Sequence, residues 1–175
     1  MNLLKFLVAF SILLVCVLGS KAQTANQKIK AIRQEFQRIN TDSLLKKKTI
    51  DDPEEFLGHS TDGGGELIGY FKKDTLSKIY LTIGLSYGEI TNEFYFKKGQ
   101  LIFVYETEKD FPYNKSSGNL DHEKIILAFE GRYYFDNGNL INKVVKGKRR
   151  FDDKEDIVSK LLTDSKEYGA LLKSK

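Results

Sequence analysis

The sequence has 175 residues, of which 41% are hydrophobic and 30% are charged, and its formal net charge is +4. These proportions are typical of a globular protein and exclude an intrinsically disordered chain. The sequence contains a single long apolar run, which excludes a membrane protein with several spans.

The chain begins with a pattern typical of a secretory signal. The apolar run from Phe6 to Gly19 follows a positively charged Lys5, and small residues lead to Ala22. The run is shorter than the ~20 residues that cross a bilayer as a helix, so we expect cleavage after Ala22. The predicted domains are therefore a signal peptide at residues 1–22 and a single α+β domain at residues 23–175.

The only cysteine, Cys16, lies inside the apolar run and lacks the small residues that precede a lipidated cysteine. Cleavage leaves a chain without cysteine, which excludes disulfides, a catalytic thiol and cysteine-based zinc sites. It also removes Lys5 and Lys21, which lowers the net charge to +2. We expect the mature protein to be secreted or periplasmic, or associated with the cell surface.

The first predicted element of the mature chain is a helix. Residues from Asn26 to Asn40 carry one apolar stripe, formed by Ile29, Ile32, Phe36 and Ile39. The helix is followed by a basic run, an acidic run that contains Pro53, and the glycines Gly63 to Gly65. These residues predict an exposed connection without regular structure.

A repeated phrase then predicts β-hairpins. Tyr95 to Ile102 (YFKKGQLI) matches Tyr134 to Ile141 (YFDNGNLI), with a weaker copy from Tyr70 to Leu76. The pair Asn137-Gly138 is a preferred two-residue turn, because both central residues need positive φ, and Lys98-Gly99 stands at the equivalent place.

Strict alternation away from these turns predicts which residues face the core. In the last hairpin the core residues are Leu127, Phe129, Tyr133, Phe135, Leu140 and Val144, with Tyr133 opposite Asn142. In the middle hairpin they are Phe94, Phe96, Leu101, Phe103 and Tyr105. Tyr95 and Tyr134 then face solvent.

A final helix is predicted after Asp152 or Asp153, either of which suits its N-cap. Its apolar stripe consists of Ile157, Val158, Leu161, Leu162 and Tyr168. The predicted fold is α+β: an antiparallel meander sheet of about six strands, with the N-terminal and C-terminal helices packed on one face.

One motif suggests a serine hydrolase. Gly84 to Gly88 (GLSYG) fits the nucleophile elbow, and Asp110 and His122 follow in the chain order of that fold. An elbow leads into a helix, however, whereas the residues after Gly88 are typical of a strand, which favours a loop between antiparallel strands. We therefore assign no catalytic residue, and a small hydrolase using Ser86, His122 and Asp110 is the alternative function.

The remaining polar clusters predict no metal and no cofactor. The acidic residues between Asp51 and Asp62 surround His59, but they lack the ligand spacing of a calcium or zinc site. The glycines Gly63 to Gly65 precede a strand rather than the helix that a phosphate loop requires. The basic run from Lys143 to Arg150 does not indicate nucleic acid in a chain of net charge +2.

The aromatic residues indicate binding. Tyr95 and Tyr134 form a predicted platform for an envelope protein or glycan, although cross-strand pairing on an exposed sheet also accounts for them. Phe111 and Tyr113 lie in the longest polar insertion, from Glu106 to Lys124, where recognition residues are often found. These observations favour a non-enzymatic binding module of unknown oligomeric state.

Several stretches of the chain resemble a family of small exported proteins of unknown function from Bacteroidota-type bacteria. They are TDGGGELIGYFK, GLSYGEITNEFYF, GQLIFVYETEKDFPYN and FEGRYYFDNGNLI, together with the SKAQ junction. The resemblance implies a periplasmic or cell-surface setting and no assigned activity. Asp42-Ser43-Leu44 and Asp74-Thr75-Leu76 are also similar to the O-glycosylation sites of exported proteins in that group.

Overall fold

A computed structural model describes residues 24–150 and 156–175. The predicted signal peptide and the predicted N-caps Asp152 and Asp153 lie outside these residues. The first helix, α1, covers residues 24–41. The other elements are β1 (Lys46–Ile50), α2 (Pro53–Leu57), β2 (Gly65–Lys72), β3 (Thr75–Leu85), β4 (Gly88–Lys97), β5 (Gln100–Asp110), β6 (Tyr113–Asn114), β7 (Asn119–Leu120), β8 (Ile126–Asp136), β9 (Asn139–Gly147) and α3 (Ile157–Ser174).

Seven strands form one antiparallel sheet in the order β1-β2-β3-β4-β5-β8-β9, and β6 pairs with β7 in a separate ribbon. The predicted α+β meander is therefore confirmed, with seven strands rather than six. No helix in the described part of the chain is long and apolar enough to cross a membrane.

The two long helices cover opposite faces of the sheet, so the prediction that both pack on one face is wrong. On one face, Leu161 and Leu172 of α3 pack on a core that includes Phe71, Phe94 and Phe135. On the other, Ile32 and Ile39 of α1 belong to a second cluster, with Tyr95, Phe103 and Tyr134. Both faces are apolar near the hairpin turns, because large aromatic side chains point in both directions there.

The three repeated hairpins have two features in common. Each has a two-residue turn with a left-handed first residue: Lys73, Lys98 or Asn137, with φ between 50° and 55°. The third residue after each turn, in the returning strand, has no cross-strand partner, which is a β-bulge. The bulged residues are Ser77, Ile102 and Ile141. The predicted turns are confirmed.

The bulges change the predicted faces, because one extra residue reverses the alternation beyond it. Phe103 lies under α1 and Tyr105 packs against the same cluster, whereas Val104 joins the core under α3. In the last hairpin, Tyr133 pairs with Lys143 instead of the predicted Asn142. The assignment of Phe103 and Tyr105 to the face of Phe94 is therefore wrong.

Two further residues assigned to the core are exposed. The exposed fraction is 56% for Leu127 and 39% for Val144. Both residues lie on β8 or β9, the last two strands of the sheet.

The predicted connection after α1 is in fact regular structure. Lys46, Lys47 and Lys48 belong to β1, which pairs with β2. Two of their ammonium groups lie over rings of β2, with Lys47 Nζ 5.4 Å from the Tyr70 ring centre and Lys48 Nζ 5.3 Å from that of Phe71. The lysine stems thus cover aromatic surface while their charges stay near water. The following helix, α2, has Asp52 as its N-cap.

Candidate functional site

A groove lined by charged and aromatic side chains lies between α1 and the strands β5, β8 and β9. This α1 groove has a volume of about 560 Å³. Pockets that hold small molecules measure roughly 300 to 1,000 Å³. The groove is lined by Ile32, Arg33, Phe36, Gln37, Phe103, Tyr105, Arg132, Tyr134 and Val144.

Packed aromatic rings form the floor of the α1 groove. The ring centre of Phe103 lies 5.5 Å from that of Phe36, edge to face, and 4.9 Å from that of Tyr134. Phe36 also contacts Tyr95, at 4.8 Å. These contacts join the helix to the sheet, so the floor is a rigid apolar surface.

Arg132 is held in place on this floor. Its Cζ lies 5.3 Å from the ring centre of Tyr105, and one Nη contacts Glu130 Oε1. The Tyr105 hydroxyl donates to the same oxygen at 2.9 Å, and Lys146 Nζ lies 3.8 Å from the other oxygen of Glu130. Burial is the largest cause that raises the pKa of Tyr105, so its hydroxyl stays a donor at neutral pH. The guanidinium is therefore fixed before any ligand arrives.

Arg33, on α1, brings a second guanidinium to the same groove. Its Cζ lies 5.8 Å from the ring centre of Tyr134, and it makes no ion pair with any residue between 24 and 150 or after 155. A guanidinium stacked on a ring keeps its N–H edge free, and that edge matches a carboxylate or phosphate. The groove and its rim thus carry more positive than negative charge.

A larger groove of about 910 Å³ lies between α3 and the three hairpin turns. Its positive charges come from Lys98, Lys166 and Lys173, which make no ion pairs with described residues. Flexible lysine side chains are less organised for recognition than stacked guanidiniums. The α1 groove is therefore the better candidate site.

The predicted exposed platform of Tyr95 and Tyr134 is a buried surface, and this prediction is wrong. The exposed fraction is 0% for Tyr95 and 3% for Tyr134, because α1 lies over both rings. The Tyr95 hydroxyl contacts Glu93 and Asn40, and burial raises its pKa. Tyr134 still lines the α1 groove, but as part of the floor.

The other two predicted binding residues lie outside the α1 groove. Strand β5 continues to Asp110, so the insertion begins later than expected, at Phe111. The Phe111 ring packs against His122, with their ring centres 4.6 Å apart. Tyr113 belongs to β6 and is 63% exposed.

The glycines of the Gly84-to-Gly88 motif are needed where backbones approach closely. A Cβ on Gly84 would lie 2.4 Å from the carbonyl oxygen of Gly63, and one on Gly88 would lie 2.0 Å from that of Lys109. Ser86 stands in the turn between β3 and β4, which are antiparallel neighbours. The interpretation of this motif as a loop between strands is confirmed.

The residues of the alternative hydrolase have other partners. Asp110 pairs with Arg150, and His122 packs on Phe111. Ser86 makes no hydrogen bond to His122 or Asp110, all three of which the structure describes. The structure therefore shows no hydrogen-bonded Ser–His pair at Ser86.

A buried ionic cluster lies on the α3 face, at the end of β5 away from the hairpin turns. Glu106 and Glu108 are each 5% exposed and face Arg149 from the chain that follows β9. Arg149 contacts the Glu106 carboxylate, lies 3.9 Å from that of Glu108 and donates to the Tyr133 hydroxyl at 2.9 Å. The backbone N–H of Arg150 donates to Glu108 at 2.8 Å.

Burial dominates the electrostatics of this cluster. It raises the pKa of Glu106 to about 7, although the Arg149 charge opposes the change, and it raises the pKa of Tyr133 to about 12. Asn92 lies directly opposite Glu106, and its Oδ1 is buried without a hydrogen-bond partner among the described residues. The cluster fastens the chain after β9 to the sheet.

Sequence reasoning missed Arg33, Arg132, Glu106 and Arg149. Arg33 directly follows Ile32 of the helical stripe, so it lies at the border of the packed face of α1. The position of Arg33 indicates a binding site only when α1 is known to cover the sheet face that carries Arg132. Glu106 lies on the α3 face because the bulge at Ile102 reverses the alternation beyond it, and no local signal marks that bulge.

Within residues 24–150 and 156–175, no group of three or more His, Cys, Asp or Glu side chains is placed to hold a metal ion. Comparison of the chain with protein-family models, with curated proteins and with solved structures gave no match.

Proposed function

We propose that this chain is an exported, non-enzymatic binding module whose α1 groove holds an anionic group attached to an apolar ring. The single observation that carries this proposal is the pair of guanidiniums from Arg33 and Arg132 above an aromatic floor. The apolar run that ends at Gly19 supports export.

The two parts of the ligand follow from the two parts of the groove. The free N–H edge of Arg33, and the N–H groups of Arg132 that Glu130 leaves unoccupied, suit a carboxylate, sulfate or phosphate. Phe36 and Phe103, which pack edge to face, line the groove and provide apolar surface for the rest of the ligand. An acidic sugar at the end of an envelope glycan has both an anionic group and an apolar ring face. An aromatic carboxylate has them too.

The lining residues favour binding over catalysis. The titratable groups of the groove lining are two arginines and two tyrosines, namely Arg33, Arg132, Tyr105 and Tyr134. An arginine stays protonated at all ordinary pH values and cannot act as a general base. The lining thus recognises charge without a group suited to proton transfer near pH 7.

A titration with benzoate and phenyl phosphate, followed by NMR, tests the site. We expect Arg33→Gln and Arg132→Gln each to weaken binding by roughly ten- to a hundredfold, since a hydrogen bond to a charged group contributes about 1.5 to 3 kcal/mol. Benzyl alcohol should bind weakly to every variant because it lacks the charge.

Arg38→Gln is the matched control. Arg38 lies on the same helix and carries the same charge, but its partners are Glu35 and Asp42, outside the groove. This variant should bind like the unchanged protein. Equal losses in the Arg38 and Arg33 variants would show a general charge effect and would contradict the proposed site.

Export is tested separately by producing the full chain in a bacterium with an envelope and measuring the mass of the product. We expect a mature protein that begins at Gln23. A product that retains Met1 in the cytoplasm would contradict the exported location, while leaving the groove titration unaffected.

A further inference from the structure

The inference concerns β9, the last strand of the main sheet, and goes beyond the α1 groove. No described strand pairs with the outer edge of β9. Six of its nine residues are exposed, and five of them are consecutive, from Lys143 to Gly147. A free edge offers backbone N–H and C=O groups that can pair with another extended chain.

The exposed part of β9 has the sequence Lys143-Val144-Val145-Lys146, here called the KVVK tetrad. Val144 and Val145 are 39% and 44% exposed. Val144 and Lys146 pair with residues whose side chains lie on the α1 face, and Lys143 and Val145 pair with residues of the α3 face. Each face of the edge therefore presents one ammonium and one β-branched side chain.

The lysines of the tetrad differ from those on the opposite edge of the sheet. On β1, Lys47 and Lys48 lie over aromatic rings, and Lys48 also donates to the carbonyl oxygen of Leu172. On β9, Lys143 makes no ion pair with a described residue, and Lys146 is 71% exposed with one contact, at 3.8 Å. The charges of β9 are thus available to a partner.

We propose that β9 binds an extended peptide segment of the type acidic–apolar–apolar–acidic, which adds as an eighth strand to the sheet. The carboxylates of the segment pair across the strands with Lys143 and Lys146, and its β-branched side chains pack on Val144 and Val145. Opposite charges and β-branched pairs on neighbouring strands both stabilise a sheet. Because the tetrad reads the same in both directions, parallel and antiparallel partners both satisfy this pattern.

A second copy of the chain does not fit this edge. Two tetrads that pair antiparallel place Lys143 of each copy opposite Lys146 of the other, and like charges directly opposite destabilise a sheet. Pairing with β1 brings Lys46 to Lys48 against the same lysines. The charge of the edge therefore selects a partner with acidic residues.

The probe is the capped peptide Thr-Glu-Val-Val-Glu-Thr, titrated into the mature protein and followed by NMR at the β9 amides. We expect saturable binding that weakens with salt. The double variant Lys143→Glu and Lys146→Glu should lose at least tenfold in affinity for this peptide and gain affinity for Thr-Lys-Val-Val-Lys-Thr.

Two controls separate strand pairing from charge attraction alone. The same acidic peptide with methylated backbone nitrogens keeps its charges but cannot pair as a strand, so it should not bind. The variant Lys46→Glu with Lys47→Glu makes the same charge change on the opposite edge and should bind the acidic peptide as before.

Several results would overturn the proposal. Absence of binding at millimolar peptide would mean that the lysines only keep other strands away from the edge. Equal binding of the methylated peptide, or an equal loss in the β1 variant, would assign the effect to general charge. Self-association of the unchanged protein through β9 would identify a second copy as the occupant. None of these results depends on Arg33 or Arg132, so the α1 groove is tested independently.

Discussion

The buried carboxyl of Glu106 should make the stability of the fold depend on pH. Its pKa is about 7 in the folded chain and 4.5 for an unperturbed glutamate. Because the folded state holds this proton more tightly, the free energy of unfolding falls as the pH rises from about 4.5 through about 7, and then levels off. The difference between the two pKa values corresponds to a loss of ~3 kcal/mol.

The variant Glu106→Gln removes this titration and keeps the shape of the side chain. Arg149 retains Glu108 as a carboxylate neighbour, at 3.9 Å. Urea unfolding at pH 5, 6, 7 and 8 gives the free energy of unfolding of both proteins. Relative to the variant, the unchanged protein should lose ~3 kcal/mol between pH 5 and pH 8.

A comparison of the two proteins cancels the contributions of titrating groups that do not interact with Glu106. Glu89→Gln is the control, because Glu89 pairs with Lys109 at 2.9 Å in a partly exposed position of the same sheet. This control should follow the unchanged protein. If the Glu106→Gln variant instead loses stability relative to the unchanged protein as the pH rises, the Arg149 ion pair outweighs burial, and the reasoning is refuted.

Three further changes test the architecture. A chain that ends at Arg150 lacks α3 and exposes the core beneath it. Each large apolar side chain that loses its cover costs about 1.5 to 3 kcal/mol, so light scattering should show aggregation. A folded monomer would contradict the packing of helices on both faces of the sheet. Gly131→Ala places a methyl group 2.7 Å from the Tyr133 ring. It should lower the free energy of unfolding in urea by about 1 to 3 kcal/mol. An unchanged unfolding midpoint would mean that the ring moves freely. Deleting Ile102 removes a bulge but keeps the flanking pairs Leu101–Phe96 and Phe103–Tyr95 on their faces, so circular dichroism should still show cooperative unfolding; loss of cooperative unfolding would show that the bulge itself is needed for the fold.

The elements predicted correctly are those with strong local signals. The turn at Asn137-Gly138 needs two residues with positive φ, and the chain supplies the two residue types that tolerate it best. The stripe from Ile29 to Ile39 repeats at helical spacing over three turns. These features depend on residues close together in the sequence, so the sequence alone reveals them.

The errors arise where one residue decides between two faces. Ile102 looks like an ordinary strand residue, and nothing local marks it as the bulge that exchanges Phe103 with Val104. Tyr95 was placed in solvent because a sheet with one covered face was assumed. The α1 groove depends on that second covered face, so neither Arg33 nor Arg132 was recognisable as a site residue before the packing of α1 was known.

The position of α3 has a consequence for how the protein folds. Each strand of the main sheet pairs with the next strand of that sheet along the chain, so hairpins can form one after another with little loop-closure entropy. The final helix instead returns to the beginning of the sheet, where Lys48 contacts the carbonyl oxygen of Leu172 and Lys175 pairs with Glu55. These contacts join the two ends of an otherwise sequential structure. Opening of the first strand and detachment of the last helix should therefore be a single event, seen in hydrogen exchange as one shared rate.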